Sequence, residues 1–404
     1  MRLLLCLGLA VCSLCAQDRS RRWGEDLDTL ERELSSRHPR LREGELREDL
    51  ARRIAEIRVT VENSTDQRLA IAIARLLAGL NEAHTNLTLG SSGVAFARLP
   101  LALRWFSDGL FISAAVEPHT RLIGARVVRI GEASVEGALA AVRPFISTEN
   151  DQWAREMSQT YLLLPDLLEA AGLITGTATV PLGLVNRAGE EVVVDISPAA
   201  GIFLAGPLRT YRPDPLYLRN PTYNYWFDFL PDSRTLYIKY NQCVEISSIP
   251  WAAFLAEMNE VASAWPVERL VIDLRHNSGG STRFLRELLA LYRQTIGSGI
   301  VSFPKGGYGI IGKRTASSAV LNAIDLKDAG FTIVGEPTGG KPSSWGEVQN
   351  FSLPNSRLTI IVPTRFVTIA GHDEVSFPPD LAVDFPASVW LAGRDAYLDA
   401  ILNR

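Results

Sequence analysis

Residues 216–404 alternate between short apolar runs and longer helical patterns, and this alternation restricts the fold more than any other feature of the chain. Arg234–Tyr240 reads as a strand and Pro250–Ala264 as a helix. Arg269–Leu274 is a continuous apolar strand, followed by a Gly-Gly turn and a helix over Thr282–Tyr292. Tyr308–Ile311 and Phe331–Val334 continue the strands, with a helix over Ser317–Ala329 between them. Leu358–Val362 closes the set, and Trp390–Leu402 reads as a terminal helix. Strand and helix in alternation predict an α/β layer.

The preceding residues divide into three parts. Residues 1–16 carry Arg2, an apolar run over Leu3–Leu14 and small residues at Ser13–Ala16, the pattern of a secretory signal peptide. That run is shorter than the ~20 residues a bilayer span needs, so the expectation is an exported protein, periplasmic or secreted, that does not span a membrane. Cys15 is a candidate for lipid modification, although Cys12-Ser13-Leu14 fits that signature poorly. Residues 17–92 read as a helical domain, with Leu27, Leu30 and Leu34, then Leu50, Ile54 and Ile57, then Leu69–Leu80 at helical spacing. Ser64-Thr65-Asp66 supplies caps for the third helix. Residues 93–215 read as β-rich: a strand over Ala125–Ile130, a helix over Val135–Val142, and a hairpin from Thr177–Val185 and Glu190–Ile196.

Composition removes several classes of function. The formal net charge is −4, from 41 basic and 45 acidic residues, which gives no sign of a nucleic-acid partner. Three of the 4 cysteines precede residue 17, leaving Cys243 with no internal disulfide partner. Gly307–Lys313 and Gly335–Lys341 have the glycine and lysine spacing of a phosphate-binding loop. Each lacks the Ser or Thr that would hold magnesium: Arg314 and Pro342 stand there instead. There is no His-Glu-x-x-His pair and no Gly-x-Ser-x-Gly elbow. No metal and no cofactor is expected. Asn63 and Asn86 begin glycosylation sequons of the kind that arise by chance.

Three loops remain, each after a predicted strand: Asp273–Gly280, Arg314–Ala319 and Gly335–Lys341. Ligands of open α/β sheets bind beyond the carboxyl ends of the strands. Ser317 would open a helix, where free N–H groups and the helix dipole favour a developing negative charge. Gly279 and Gly280 allow the backbone to approach a substrate closely. Lys341 lies between Gly340 and Pro342, and a buried neutral amine serves as a general base. Taken singly, these are an N-cap, a turn and a surface lysine; their convergence is what carries chemistry.

Asp-Leu-Arg-x-Asn-x-Gly-Gly, Thr-Ala-Ser-Ser-Ala and Gly-Glu-Pro-Thr-Gly-Gly-Lys, in that order, resemble the signatures of the C-terminal processing, or tail-specific, proteases. The resemblance is most specific over residues 269–345, and Pro378–Leu381 adds to it. It implies a crotonase-like α/β catalytic domain over residues 216–404, with the helical domain and a PDZ-like section over residues 93–215 before it. It implies a serine endopeptidase acting on protein or peptide substrates, and recognition of their C-termini. Ser317 would be the nucleophile and Lys341 the general base. Backbone N–H groups of Gly279 or Gly280 and of Ser318 would form the oxyanion hole. Asp328, eleven positions after the serine, would orient the lysine or face water. Ser318 is a second candidate nucleophile, and His84 and His276 are candidate contributors. Val320 and Trp345 stand where many members carry Glu and Gln. They leave open a catalytically inactive peptide-binding protein on the same scaffold. An esterase or amidase is a third reading. The cluster Tyr217, Tyr223, Tyr225, Trp226 and Phe227 would line a peptide cleft or pack between domains.

Overall fold

The computed structural model describes residues 2–90, 93–199, 209–210, 214–297 and 303–404, with backbone alone for 2–16, 209–210 and 295–297. Helix α1 (Arg2–Arg37) runs through the predicted leader into the amino-terminal section. There Leu27, Leu30 and Leu34 are fully buried together with the apolar faces of α2 (Glu45–Arg58) and α3 (Asp66–Ala78). Thr65 caps α3 by accepting from the Arg68 N–H at 3.2 Å. Each such leucine contributes about 1.5–3 kcal/mol on burial, and packing of this kind is what holds helices as short as α2 and α3. No helix among the described residues is long and apolar enough to cross a membrane.

Strand β1 (Asn86–Leu87) leads to the middle section: β2 (Leu101–Phe106), β3 (Gly109–Ala115), β4 (Arg126–Ile130), β5 (Ala133–Ser134), α4 (Val135–Val142), α5 (Asp151–Tyr161), α6 (Pro165–Ala170), β6 (Val180–Val185), β7 (Glu191–Ile196) and β8 (Arg209–Thr210). Its sheet is antiparallel in the order β2-β3-β4-β6-β7, with β5 beside β4 and β8 beside β3. The β6–β7 pair is the predicted hairpin. Sequence periodicity did not reveal α5 or α6.

The last section contains β9 (Tyr225–Leu230), β10 (Thr235–Tyr240), α7 (Trp251–Ala264), β11 (Arg269–Asp273), α8 (Arg283–Gly297), β12 (Gly307–Ile311), α9 (Ser318–Asp328), β13 (Thr332–Gly335), β14 (Ser344–Ser352), β15 (Thr359–Val367), β16 (Leu381–Ala382), α10 (Ala387–Leu391) and α11 (Ala396–Leu402). A six-stranded sheet has the order β16-β13-β12-β11-β10-β9, parallel except at β9. Successive residues of its strands feed two cores. Leu236, Ile238, Leu270, Ile272 and Ile333 pack with α7, α8 and α9 on one face. Tyr237, Val271, Ile310 and Val334 join the core on the other face, with Tyr217, Phe385 and Tyr397. That is the period of two expected of strands covered on both faces.

Three expectations need correction. Leu358–Val362 does not close the α/β sheet: Thr359–Val362 begins β15, which pairs antiparallel with β14 and β1 in a separate sheet. Trp390–Leu402 is two helices, broken at Gly393 (φ +73°). The aromatic cluster divides: Tyr217 lines a cleft, as expected, whereas in β9 Tyr225 is buried against Trp251 and Phe254 and Trp226 packs against Tyr237.

The carboxyl end of β11 is fixed by a buried charge network. Asp273, with no exposed surface, accepts from the Tyr237 hydroxyl at 2.5 Å and the Arg275 N–H at 2.9 Å, and ion-pairs with Lys239 at 3.2 Å. The Arg275 guanidinium also binds Asp395 through two bonds of 2.8 and 2.7 Å, tying α11 to the sheet. Burial alone would raise the Asp273 pKa, but Arg275, Lys239 and Tyr237 together hold it below the ordinary carboxylate value. Its stabilisation is therefore present above the unfolded-state pKa and is lost as pH falls through the folded one. Asp273→Asn should cost about 3–5 kcal/mol at neutral pH, measured by chemical denaturation, because it leaves Lys239 buried without its counter-charge.

Candidate active site

The Ser317 backbone is strained: φ +53° and ψ −132°, at the residue before α9. A non-glycine residue held this way costs about 1–3 kcal/mol. The side chain is not spent on capping, for Ser317 makes no cap hydrogen bond to its helix. Ser318 differs: its hydroxyl donates to the Gly280 carbonyl at 2.7 Å. Of the two adjacent serines, Ser317 therefore has the free hydroxyl and Ser318 the engaged one.

Gly279 shows why no side chain is tolerated in the loop after β11. Its φ is +110°, and a Cβ there would stand 2.7 Å from the Ser317 Cβ and 3.1 Å from its Oγ. The two loops thus touch along Gly279 and Ser317. Asn277, buried, holds them in register. Its Oδ1 accepts from the Gly279 N–H at 2.9 Å, its Nδ2 donates to the Tyr240 carbonyl at 3.0 Å, and its own carbonyl accepts from the Ala316 N–H at 3.0 Å. Thr315 adds a hydroxyl bond of 2.9 Å to the Leu274 carbonyl. The Gly279 N–H is therefore occupied. Among the described residues neither the Gly280 N–H nor the Ser318 N–H has an acceptor; Gly280 follows the glycine that touches Ser317, and the Ser318 nitrogen lies 3.1 Å from where a Gly279 Cβ would stand.

The Gly335–Lys341 loop closes on the same point. The Gly340 N–H donates to the Thr315 carbonyl at 3.0 Å, and a Cβ on Gly340 would lie 2.9 Å from the Ser317 nitrogen. Lys341 follows directly and is half-buried. Neither the Ser317 hydroxyl nor the Lys341 amine hydrogen-bonds to a described residue, so no hydrogen bond joins the two.

Asp328 does not belong to this cluster. It is the exposed last residue of α9, and ten residue steps along a helix are about 15 Å. The carboxylate that Lys341 does influence is Glu149, just before the α5 cap, which sequence patterning missed. Burial pushes the Glu149 carboxyl up to about 7, Lys341 opposing and Glu82 adding to the shift, and its Oε2 has no hydrogen-bond partner. The neighbouring Asn150 caps α5 and donates to the Gly339 carbonyl at 2.9 Å and the Val375 carbonyl at 2.7 Å. The Asn-Asp pair opening α5 was a capping signal from which this segment was discoverable.

The other candidates sit around the site. His84 is half-exposed as a residue, but its Nδ1 is buried without a partner, and burial lowers its pKa against the pull of Glu82. Glu82 binds His38 Nε2 at 2.5 Å and the Thr85 hydroxyl, and His38 packs 5.3 Å from the Trp345 ring. Val320 is fully buried in the core. Cys243 is buried against Asn277 and Asn322, and burial pushes its thiol up to about 11, consistent with packing rather than reaction. His276 lines a cleft beside the glycine loop and lies 5.7 Å from the Tyr217 ring. Among the described residues no three His, Cys, Asp or Glu side chains are grouped to hold a metal ion.

No family model and no curated protein sequence matches the chain. Solved structures do. A serine-to-alanine mutant of CPAF is 14% identical with a TM-score of 0.65, covering 95% of this chain and 96% of its own. Mature CPAF complexed with lactacystin is 15% identical with a TM-score of 0.64, covering 95% and 97%. The photosystem II D1 C-terminal processing protease is 15% identical over 94% of this chain and 96% of its own, at a TM-score of 0.42, too low to define a shared fold. The chain has the fold of CPAF.

Two substitutions test this geometry. Gly279→Ala should cost about 2–4 kcal/mol in chemical denaturation, from its positive φ and the collision with Ser317. Glu149 binds a proton in the folded state that the unfolded chain releases between about 4.5 and 7. Its contribution is therefore present below that window and lost as pH rises through it. Glu149→Gln should flatten the stability–pH curve over that interval, read from denaturation midpoints.

Proposed function

We propose that the chain is a serine-type peptidase of the C-terminal processing protease family. The observation that carries the reading is Ser317: a strained backbone, a hydroxyl not spent on capping, and the N–H groups of Gly280 and Ser318 in the adjoining loops without an acceptor among the described residues. The fold shared with CPAF, itself a serine protease, supports it, as do the three loop signatures at the ends of β11, β12 and β13. A parallel sheet between helical layers agrees with a crotonase-like core, and the antiparallel section with α4 against β4 agrees with a PDZ-like module.

The reaction follows from the groups at hand. The Lys341 amine takes the proton of the Ser317 hydroxyl as its oxygen attacks a peptide carbonyl carbon. The Gly280 and Ser318 N–H groups receive the oxyanion, each worth about 10²–10³ in rate. The C–N bond breaks, the proton passes from Lys341 to the leaving amine, and an ester to Ser317 remains. Water, deprotonated by the same amine, hydrolyses that ester. In this reading the Ser317–Lys341 hydrogen bond forms in the substrate complex, as catalytic hydrogen bonds often tighten there. Export through the leader and preference for substrate C-termini belong to this reading.

A non-catalytic peptide-binding protein is the second reading, favoured by the missing Ser317–Lys341 hydrogen bond. A fluorophosphonate probe separates the two. Mass spectrometry should locate the label on Ser317. Ser317→Ala should remove labelling and peptide cleavage, and Lys341→Met should slow both by at least a hundredfold with the melting temperature retained. An unlabelled wild-type protein that still binds peptide would favour the second reading, and a label on Ser318 would reassign the nucleophile.

A further inference from the structure

A cleft of about 590 Å³ lies where the carboxyl ends of β10, β11, β12 and β13 face β2 and α5. Ser317 and Lys341 do not line it. It reaches the site through Ser278, one residue before Gly279, and through Arg314, three residues before Ser317. At about 3.3 Å per residue, an extended peptide at Ser317 enters this cleft within two to four residues.

The walls carry Arg104, Arg275, Lys313 and Arg314, with His276 between them. Three of the cations are answered. Arg275 binds Asp273 and Asp395, Lys313 pairs with Glu336, and Arg314 pairs with Glu156 at 3.5 Å. Arg104, half-buried on β2, has only a neutral partner, the Tyr217 hydroxyl at 3.2 Å. No carboxylate among the described residues forms an ion pair with it, and the segments outside the description contain no Asp or Glu. The exposed Asp214 feels its charge without pairing with it. The cleft is electropositive at its centre: burial, then Lys239, Arg104, Arg275 and Arg314, push the His276 imidazole well below its ordinary value.

We propose that this cleft is a specificity subsite for an acidic side chain of the substrate, two to four residues from the bond cleaved, whose carboxylate is bound by Arg104. The inference rests on Ser317 as the nucleophile, which fixes the register of the peptide. A charge-assisted bond to an already half-desolvated guanidinium is among the stronger polar contacts available, and its neutral isostere forgoes it.

The test uses full-length Ser317→Ala protein and acetylated, amidated decapeptides in which one position at a time is Glu or Gln, with binding read by fluorescence anisotropy. At one position Glu should bind at least tenfold tighter than Gln. Arg104→Gln in the same background should bring the pair to equal affinity, and Arg104→Lys should keep a reduced preference, which also covers the case in which Arg104→Gln does not fold. Equal affinities at every position, including no measurable binding, would overturn the proposal. So would a preference that survives Arg104→Gln, or one that appears only with free C-terminal carboxylates. Cleavage of the same peptides by the wild type is scored separately. Glu-selective binding without cleavage removes the peptidase reading and leaves the subsite. Cleavage without Glu selectivity removes the subsite alone.

Discussion

A carboxylate with no access to water governs the architecture around Ser317. Asp273 ends β11, and a charge in that position persists only because Arg275, Lys239 and Tyr237 surround it. Its partners come from β10, from the loop after β11 and, through Arg275 and Asp395, from the carboxyl-terminal helix. The charge thus fixes the direction in which the chain leaves the sheet. Asn277 inherits that direction and passes it to Gly279 on one side and Ala316 on the other. Strain at Ser317 is sustained because both flanking loops are over-determined by these bonds.

The division of labour between the two faces of the main sheet follows. One face is a dry aliphatic and aromatic core against α7, α8 and α9. The other carries Tyr237, Tyr217 and Tyr397, and the rings of the last two cover the Arg275 guanidinium, at 4.3 Å for Tyr217 and 4.8 Å for Tyr397. Beside the cleft Arg275 and Lys313 are held by carboxylates, and Arg275 and Arg104 also by the Tyr217 ring.

Much of this was legible in the amino-acid order. Continuous apolar runs gave β10 to β13 and the spacing of Leu27, Leu30 and Leu34 gave α1, because burial on both faces or on one stripe leaves a periodic mark. The loops holding Ser317, Gly279 and Lys341 were legible because glycine and proline mark where backbone must turn. Partnership was not legible. Leu358–Val362 has the alternation of a strand, and alternation is blind to which strand it meets. Asp328 stood at a family spacing, but eleven positions of helix carry a side chain three turns away. Glu149 and Asn150 reach the Lys341 loop from another section, a juxtaposition made by tertiary packing alone.

The Asn150 amide has one further implication. It belongs to the middle section, yet it grips Gly339 and Val375 of the last one, on either side of the segment that carries Lys341. Any hinge opening between the sections must sever both bonds, at about 1 kcal/mol each. The Trp153 ring of α5, which lies against Gly339, would part from that segment with them. The position of the Lys341 loop is therefore coupled to interdomain docking, so a ligand that wedged the two sections apart would displace that loop without touching it.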